Sequence, residues 1–482
     1  MKFKYIALPL LVVILYFYLN LFANALTDDA FITLRYAKTL LNTGTWGFIP
    51  GYVTNAITSP LNVFLLSFAA IFLGSTVNAI LWLSACVLVA MILLLIQMSL
   101  HLFGTELFGY LAAGALIFNP LLISTLGLES ILFVFLYILS AYLYLSSRWF
   151  WLAAVLGLIT ITRFDGILFF IVTLPLIPTF RLRGKFAAIY FLSIAPWYIF
   201  SWVYLGSFFP DTLFIKTTQH SWGTWDFFNG LDLYFRVYPL EITFSILLLP
   251  SLFLLFNKET RNLAPIRFLL LTSMAHFIGY SILRVPPYFW YYVPEITAIS
   301  LIGSLGLGRL FQQSSSNLWK SKGFQGIATI LMILQTVGML CILNRSGFPV
   351  KEMPIHTNWA THEQYEKIGI WLKQHGNGRI VLVDGEVGTL GYYCDCNLSS
   401  FFSDRRWLKQ YVNKQISGNG VKPLLYKINF LFLDKDMQFP APHYLLKEIP
   451  AGEATNPNSL MQWKTSTKWT SSNLIQLNKY AP

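Results

Sequence analysis

The stretch Thr27-Asp28-Asp29-Ala30-Phe31-Ile32-Thr33-Leu34-Arg35-Tyr36-Ala37-Lys38 follows directly on the first long apolar run, residues 5 to about 25, and sets two adjacent carboxylates where hydrocarbon gives way to water. A run of that length crosses a bilayer, whose hydrocarbon core takes about 20 helical residues. Thr27 or Asp28 suits the cap of a helix whose Ile32, Tyr36 and Leu40 share one face, and acids in a first turn suit the helix dipole. The position also has a chemical reading. Low-dielectric surroundings raise the cost of ionising a carboxylate and lift its pKa toward the range of a general base, while two neighbouring acids repel and titrate apart. Cap and base both fit the residues.

Outward from that stretch, the chain is 55% hydrophobic, 17% aromatic and only 12% charged over 482 residues, which excludes a soluble enzyme and points to a polytopic membrane protein. The net charge of +12 does not call for nucleic acid, because the basic residues cluster in short loops between apolar runs. Residues 1 to 4 are basic, so the N-terminus is expected in the cytoplasm. Ala23-Asn24-Ala25 mimics a signal-peptidase site, yet the run before it exceeds a usual signal sequence and reads as an uncleaved first span. An external loop of about 26 to 78 follows, with a Gly44-Thr45-Trp46-Gly47-Phe48 turn and an apolar segment from Ser59-Pro60-Leu61 to Leu73, short for a span and read as an interfacial juxtamembrane helix.

Further spans are expected at about 77 to 99, 107 to 124, 129 to 147, 150 to 162, 166 to 180, 186 to 205, 239 to 257, 265 to 283, 288 to 308 and 324 to 343, roughly eleven with the first. This assignment puts Arg148, Arg181, Arg183, Lys185, Lys258, Arg261, Arg309, Lys320 and Lys322 on the side of Lys2 and Lys4. The opposite face then holds Asp28, Asp29, Glu129, Arg163, Asp165, Asp211, Lys216, His220, Arg236 and Arg284. Titratable residues that topology does not explain thus share one compartment.

After Arg345 the composition becomes that of an ordinary soluble domain. A helix at 362 to 375, a strand at 379 to 384, a helix near 404 to 417 and a strand at 428 to 433 are expected. The fold class is therefore mainly α, a polytopic transmembrane helical bundle over 1–345 with a small soluble α/β domain over 346–482 outside the cytoplasm. Gly385, Gly388 and Gly391 do not match a dinucleotide fingerprint, and the Cys394 and Cys396 pair reads as a disulfide, a metal site or neither.

Glu129, opening a span in Leu126-Gly127-Leu128-Glu129-Ser130, is a second candidate acid or a simple helix-start residue. Arg163 in Thr162-Arg163-Phe164-Asp165-Gly166, Lys216 after Pro210-Asp211-Thr212-Leu213-Phe214-Ile215, and Arg284 before Pro286-Pro287 suit the grip of a lipid-linked phosphate, or else a local Arg163–Asp165 pair and snorkelling to headgroups. Tyr288-Phe289-Trp290-Tyr291-Tyr292 reads as an interfacial belt before a sugar platform. His276, inside a span, is a relay group or a satisfied bundle residue.

Taken together, the DDAFITLRYAKTLL stretch after a span, the turn at Trp46, the Ser59-Pro60 helix, Gly-Leu-Glu-Ser before a span, Arg-Phe-Asp-Gly, Pro-Asp-Thr-Leu-Phe-Ile-Lys and Tyr-Phe-Trp-Tyr-Tyr resemble bacterial GT-C membrane glycosyltransferases. Within them, residues 1 to 310 are most similar to family 39-like enzymes and the terminal arabinofuranosyltransferases of mycobacterial cell walls. The resemblance implies a polyprenyl-phosphate sugar donor, an envelope glycan, lipid or protein as acceptor, a bacterial plasma membrane, and an active site on the periplasmic side. It gives the base to Asp28 or Asp29 and matches Glu129 to the acid of the second external loop; beside it, Lys216, Arg284 and Arg163 are the expected donor-phosphate contacts, and Arg35, Tyr36 and His220 further expected substrate contacts. Hexosyl and pentosyl transfer both fit. No cofactor is required, since phosphate is a competent leaving group, and a divalent cation is the one candidate addition. The rival classes are a transporter or lipid flippase, which tends to carry midplane charges and inverted repeats, and a noncatalytic scaffold.

Overall fold

The computed structural model describes residues 2–216, 221–314, 317–376, 378–400, 403–434, 439, 441–450, 452–470 and 472–480. Among them, seven helices are long and apolar enough to cross a membrane: Leu8–Ala25, Thr76–Phe103, Phe180–Tyr204, Pro239–Phe256, Ala264–Leu283, Phe289–Gln313 and Trp319–Ser346. The chain is a multi-pass membrane protein with a helical bundle and a small α/β part. Seven of the roughly eleven expected spans coincide with these helices, and the shorter apolar helices Leu107–Ile117, Ser130–Leu145, Trp149–Thr162 and Phe164–Leu176 lie where the other four were expected.

Local breaks explain the shortening. Asn119 accepts hydrogen bonds from the amides of Leu121 and Leu122 and starts a new helix at Pro120, so the run from 107 to 124 divides. Arg163, with φ −147° and ψ 125°, ends the helix Trp149–Thr162. At about 1.5 Å per residue, a 16-residue helix rises only about 24 Å, short of the ~30 Å hydrocarbon core. The segment Pro60–Leu73 is the expected 14-residue helix, with Phe64, Phe68, Ile71 and Phe72 exposed along it.

Two compact units divide the chain, and the division does not fall at residue 345. The first comprises Met1–Leu21, Leu81–Ile194 and His220–Ile355; the second comprises Phe22–Ile80, Ala195–Gln219 and His356–Pro482. The first external loop thus belongs with the C-terminal segment, because its opening helix is hydrogen-bonded into it.

The first unit is the bulk of the bundle, closed by aromatic packing and by hydroxyls that return to helix carbonyls. Tyr137 lies against Thr272 Oγ1 at 2.7 Å and donates to the Leu269 carbonyl at 3.1 Å, and Phe170 stacks on Tyr190 with centroids 3.8 Å apart. Every such bond satisfies a polar group that lipid would leave bare.

The second unit holds a five-stranded sheet, β1 (Val381–Asp384), β2 (Leu398–Ser399), β3 (Tyr444–Ile449), β4 (Met461–Thr465) and β5 (Asn473–Lys479), in the order β2-β1-β3-β5-β4. β1 pairs parallel with β2 and β3, Val381 facing Leu398 and Tyr444, whereas β5 runs antiparallel to both β3 and β4. Helices His362–His375 and Gly388–Cys394 pack with the opening helix Asp28–Thr43. The strand expected at 428 to 433 is absent; those residues lie on the end of a helix, Val421–Asn429, and the turn after it.

Candidate functional site

The helix Asp28–Thr43 presents Asp28 to the start of Gly388–Cys394. Asp28 Oδ2 accepts from the amides of Val387 at 3.0 Å and Gly388 at 2.8 Å, and Oδ1 accepts from Thr389 at 2.7 Å. A carboxylate at a helix N-terminus meets both the orphan amides and the favourable end of the dipole. The approach is so close that a Cβ on residue 388 would lie 1.9 Å from the Asp28 carbonyl oxygen, which is why a glycine stands there. Asp28 is 4% exposed; burial pushes its carboxyl upward and the three amides pull against that shift. Asp29, the next residue, is half-buried.

Two further carboxylates lie behind this contact. Glu386 accepts from Asn358 Nδ2 at 2.6 Å and from the Trp359 amide at 3.2 Å, and Glu448 accepts from the Tyr365 hydroxyl at 2.5 Å and from the Glu386 amide at 3.3 Å. Burial pushes Glu386 well above the carboxylate range, helped by the charges of Glu448 and Asp28, and burial pushes Glu448 up to about 7.

Arg35 and Tyr36 are internal ties. Arg35, 2% exposed, donates to the Phe48 carbonyl at 3.1 Å and to Asp395 at 2.6 Å, and the Tyr36 hydroxyl meets Thr54 Oγ1 at 2.7 Å. Asp395 sits at φ 53° between Cys394 and Cys396, which form a disulfide; burial raises its carboxyl, but the hydrogen bond from Arg35 and the Lys38 charge outweigh it and hold it low. Lys216 is half-buried and ends the short helix Asp211–Lys216, whose first residue is clamped by Arg405 through Nε at 2.7 Å and Nη2 at 3.2 Å. His220 lies outside the described residues.

Glu129, Arg163 and Arg284 belong to the first unit. Arg163, 5% exposed, forks onto Asp165 through Nη2 at 2.7 Å and Nε at 3.2 Å, and its Nη1 reaches Glu129 at 3.5 Å and the Trp290 carbonyl at 3.3 Å. Asp165 also receives the Tyr280 hydroxyl at 2.7 Å and His276 Nε2 at 3.1 Å, and His276 Nδ1 faces Glu295 at 2.7 Å. With both ring nitrogens against carboxylates, His276 donates on both sides when both acids are ionised. Arg284 stands apart from this network, 75% exposed at its side chain, donating to Asp226 at 3.1 Å. Tyr280 and Glu295 escaped the reading of the sequence; the i, i+4 spacing of His276 and Tyr280 on one helix is the signal that marks them as partners.

One residue beyond Glu129, Ser130 lines a small apolar pocket with Leu88, Met91, Ile117, Ile123 and Val134. Its hydroxyl is buried and has no hydrogen-bond partner among the described residues. No group of three or more His, Cys, Asp or Glu side chains placed to hold a metal occurs among the described residues.

The fold and these clusters define a polytopic membrane protein with charged networks gathered at helix ends. Among solved structures it is similar to the oligosaccharyltransferase AglB of Archaeoglobus fulgidus in complex with an inhibitory peptide and a dolichol-phosphate, with a TM-score of 0.53 and 12% identity over 92% of this chain and 70% of that one. The apo form of the Archaeoglobus fulgidus enzyme gives a TM-score of 0.50 and 12% identity over 88% of this chain, which spans 66% of that enzyme's length. The mycobacterial arabinofuranosyltransferase AftD gives 0.48 and 13% identity over 98% of this chain and 40% of its own. No protein-family model and no curated protein matches the chain. The chain shares its fold with these Archaeoglobus fulgidus structures.

Proposed function

We propose that the protein is an inverting glycosyltransferase that moves a sugar from a polyprenyl-phosphate donor to a hydroxyl of a cell-envelope glycan, lipid or protein on the non-cytoplasmic face. The observation that carries this reading is the buried Glu129 and Arg163 pair at a helix end, beside a small apolar pocket lined by Ser130. AglB, of the same fold, has been solved with a dolichol-phosphate. The disulfide Cys394–Cys396 supports an oxidising, extracytoplasmic side for the second unit, and the sidedness of the basic loops supports a plasma membrane with the acids outside.

In this mechanism the acceptor hydroxyl gives its proton to a carboxylate as its oxygen bonds to the anomeric carbon. The bond from that carbon to the phosphate oxygen breaks with its electron pair, and polyprenyl phosphate leaves. Of the two candidate bases, Asp28 is engaged by three amides, so the task falls to Asp29. Lys216, in the same unit as Asp29, stabilises the phosphate as charge develops on it. Arg163, already forked onto Asp165, aims Glu129. A divalent ion is not needed for phosphate to leave and would only add charge stabilisation.

The test is to incubate purified protein with a panel of polyprenyl-phosphate sugars and assay released polyprenyl phosphate. Positioned proton transfer contributes roughly 100- to 10,000-fold, so Asp29→Asn is expected to lose about that much turnover while its unfolding temperature holds. Full turnover in Asp29→Asn refutes the base assignment. Lipid movement across reconstituted vesicles without bond formation refutes the enzyme reading in favour of a transporter.

A further inference from the structure

Between Arg405 and Leu433 the chain carries six basic residues and no acid. Two helices, Arg406–Ile416 and Val421–Asn429, fold back on each other here, turning at Gly420 with φ 118°. Their inner faces close a small core of Leu408, Val412, Phe430 and Leu433 around Phe214, with Tyr411 and Tyr426 packed against it. The outer face is apolar and bare. Val421 is 74% exposed, Leu425 59% and Leu431 61%, with Leu424, Ile428 and Phe432 exposed beside them at helical spacing. Lys414, Lys422 and Lys427 are exposed on the same hairpin.

An extramembrane domain does not ordinarily leave such a stripe in water. Its position says what covers it. Trp202, in the last turn of the span Phe180–Tyr204, donates from Nε1 to the Ile428 carbonyl at 2.8 Å, and its ring meets that of Phe432 edge-on at 5.3 Å. The Asn429 carbonyl accepts from the Phe208 amide at 3.2 Å and Asn429 Oδ1 accepts from Phe209 at 2.9 Å. Gly206, at φ +79°, lets the backbone at Leu433 approach so closely that a Cβ would lie 2.9 Å from its Cα. The helix Val421–Asn429 is therefore bonded to the end of a span, at the level where hydrocarbon meets headgroups, and tryptophan is a residue of that level.

We infer that this hairpin is a membrane-docking element, its leucine face seated in the outer boundary of the bilayer and its lysines on anionic headgroups. The apolar face, the unopposed lysines and the tether to a span are the features of an interfacial amphipathic helix. Because Phe214 sits in the hairpin's core, docking also sets the depth of the helix Asp211–Lys216, and so of Lys216, at headgroup phosphate. The inference rests on the membrane fold alone and stands whether or not the protein transfers sugar.

The test uses the full chain in vesicles of phosphatidylglycerol and phosphatidylcholine, with the free Cys86 and Cys341 replaced by serine. An environment-sensitive fluorophore is attached at Leu425→Cys or, as a control on the exposed polar side, at Asn413→Cys. Emission from position 425 is expected to be blue-shifted and quenched by shallow spin-labelled lipid, with position 413 unaffected. Lys422→Gln and Lys427→Gln are each expected to shift the docked-to-undocked ratio about fivefold toward undocked on anionic vesicles, from roughly 1 kcal/mol per basic residue near such a surface. A label at 425 that is neither shifted nor quenched overturns the proposal. A blue shift without lipid quenching also overturns it, by showing that a second copy or another protein covers the face.

Discussion

Replacing Asp28 by asparagine separates a structural carboxylate from a chemical one. In the native chain Oδ2 serves two amides and Oδ1 serves Thr389, all within 3.0 Å. An asparagine keeps one oxygen, which retains the Val387 and Gly388 amides, and turns an NH2 group toward the Thr389 amide. One hydrogen bond to a charged acceptor is lost, worth about 1.5–3 kcal/mol, the two kept lose their charge assistance, and one buried amide is orphaned. Against this stands the relief of no longer burying a charge, which the upward push on the Asp28 carboxyl makes real. The balance is a loss of about 3 kcal/mol, which for a unit of this size lowers the melting temperature by about 6–12 °C. Intrinsic tryptophan fluorescence on heating in detergent reads it, alongside polyprenyl phosphate release below the transition. An Asp28→Asn protein with unchanged melting and abolished turnover would refute the reasoning, because it would make Asp28 the base.

The buried acids set a pH dependence opposite to ordinary acid denaturation. Glu386 and Glu448 are both raised in the folded chain, so their contribution is full below the ordinary glutamate range and is lost as pH rises, for Glu448 through about 7. The second unit is expected to be more stable at pH 5 than at pH 8 by on the order of 3 kcal/mol, and Glu448→Gln to flatten that slope; denaturant midpoints across pH measure it, and a slope unchanged by the substitution counts against the argument. Arg163→Lys loses the fork onto Asp165 while keeping the charge, and is expected to destabilise the bundle by about 2–4 kcal/mol and to lower turnover, whereas Arg284→Lys, at a mostly exposed site, leaves melting unchanged.

How far the sequence carried depends on whether a feature is local. The membrane class, the helix Pro60–Leu73 and the long spans are legible because burial in lipid demands continuous apolar runs, which composition reports directly. The breaks are not, because Asn119 and Arg163 each stop a helix with one residue inside an otherwise apolar run. Ile428-Asn429-Phe430-Leu431-Phe432-Leu433 reads as a strand by composition, yet Asn429, Phe430 and Leu433 turn inward, while Ile428, Leu431 and Phe432 remain exposed on a hairpin held to a span. β3 escaped because Leu445-Leu446 followed by Lys447-Glu448 breaks the apolar alternation, and antiparallel pairing with β5 restores the sheet from the other side. At the candidate site the acids are legible one by one and their partners are not. The amides that hold Asp28 lie 359 to 361 residues away, and the acid facing His276 Nδ1 is on another helix.

The adjacency of Asp28 and Asp29 then has a physical use that neither residue has alone. Successive side chains on a helix point about 100° apart. Locking Asp28 onto the start of Gly388–Cys394 fixes the rotation of the helix Asp28–Thr43 about its axis, and Arg35, bound to Asp395 two turns later, fixes it a second time. Asp29 is thereby held turned away from the Gly388 contact, at a half-buried position. In the cap reading and the base reading of the pair, each aspartate thus takes one role: the first builds the helix contact and the second is aimed by it.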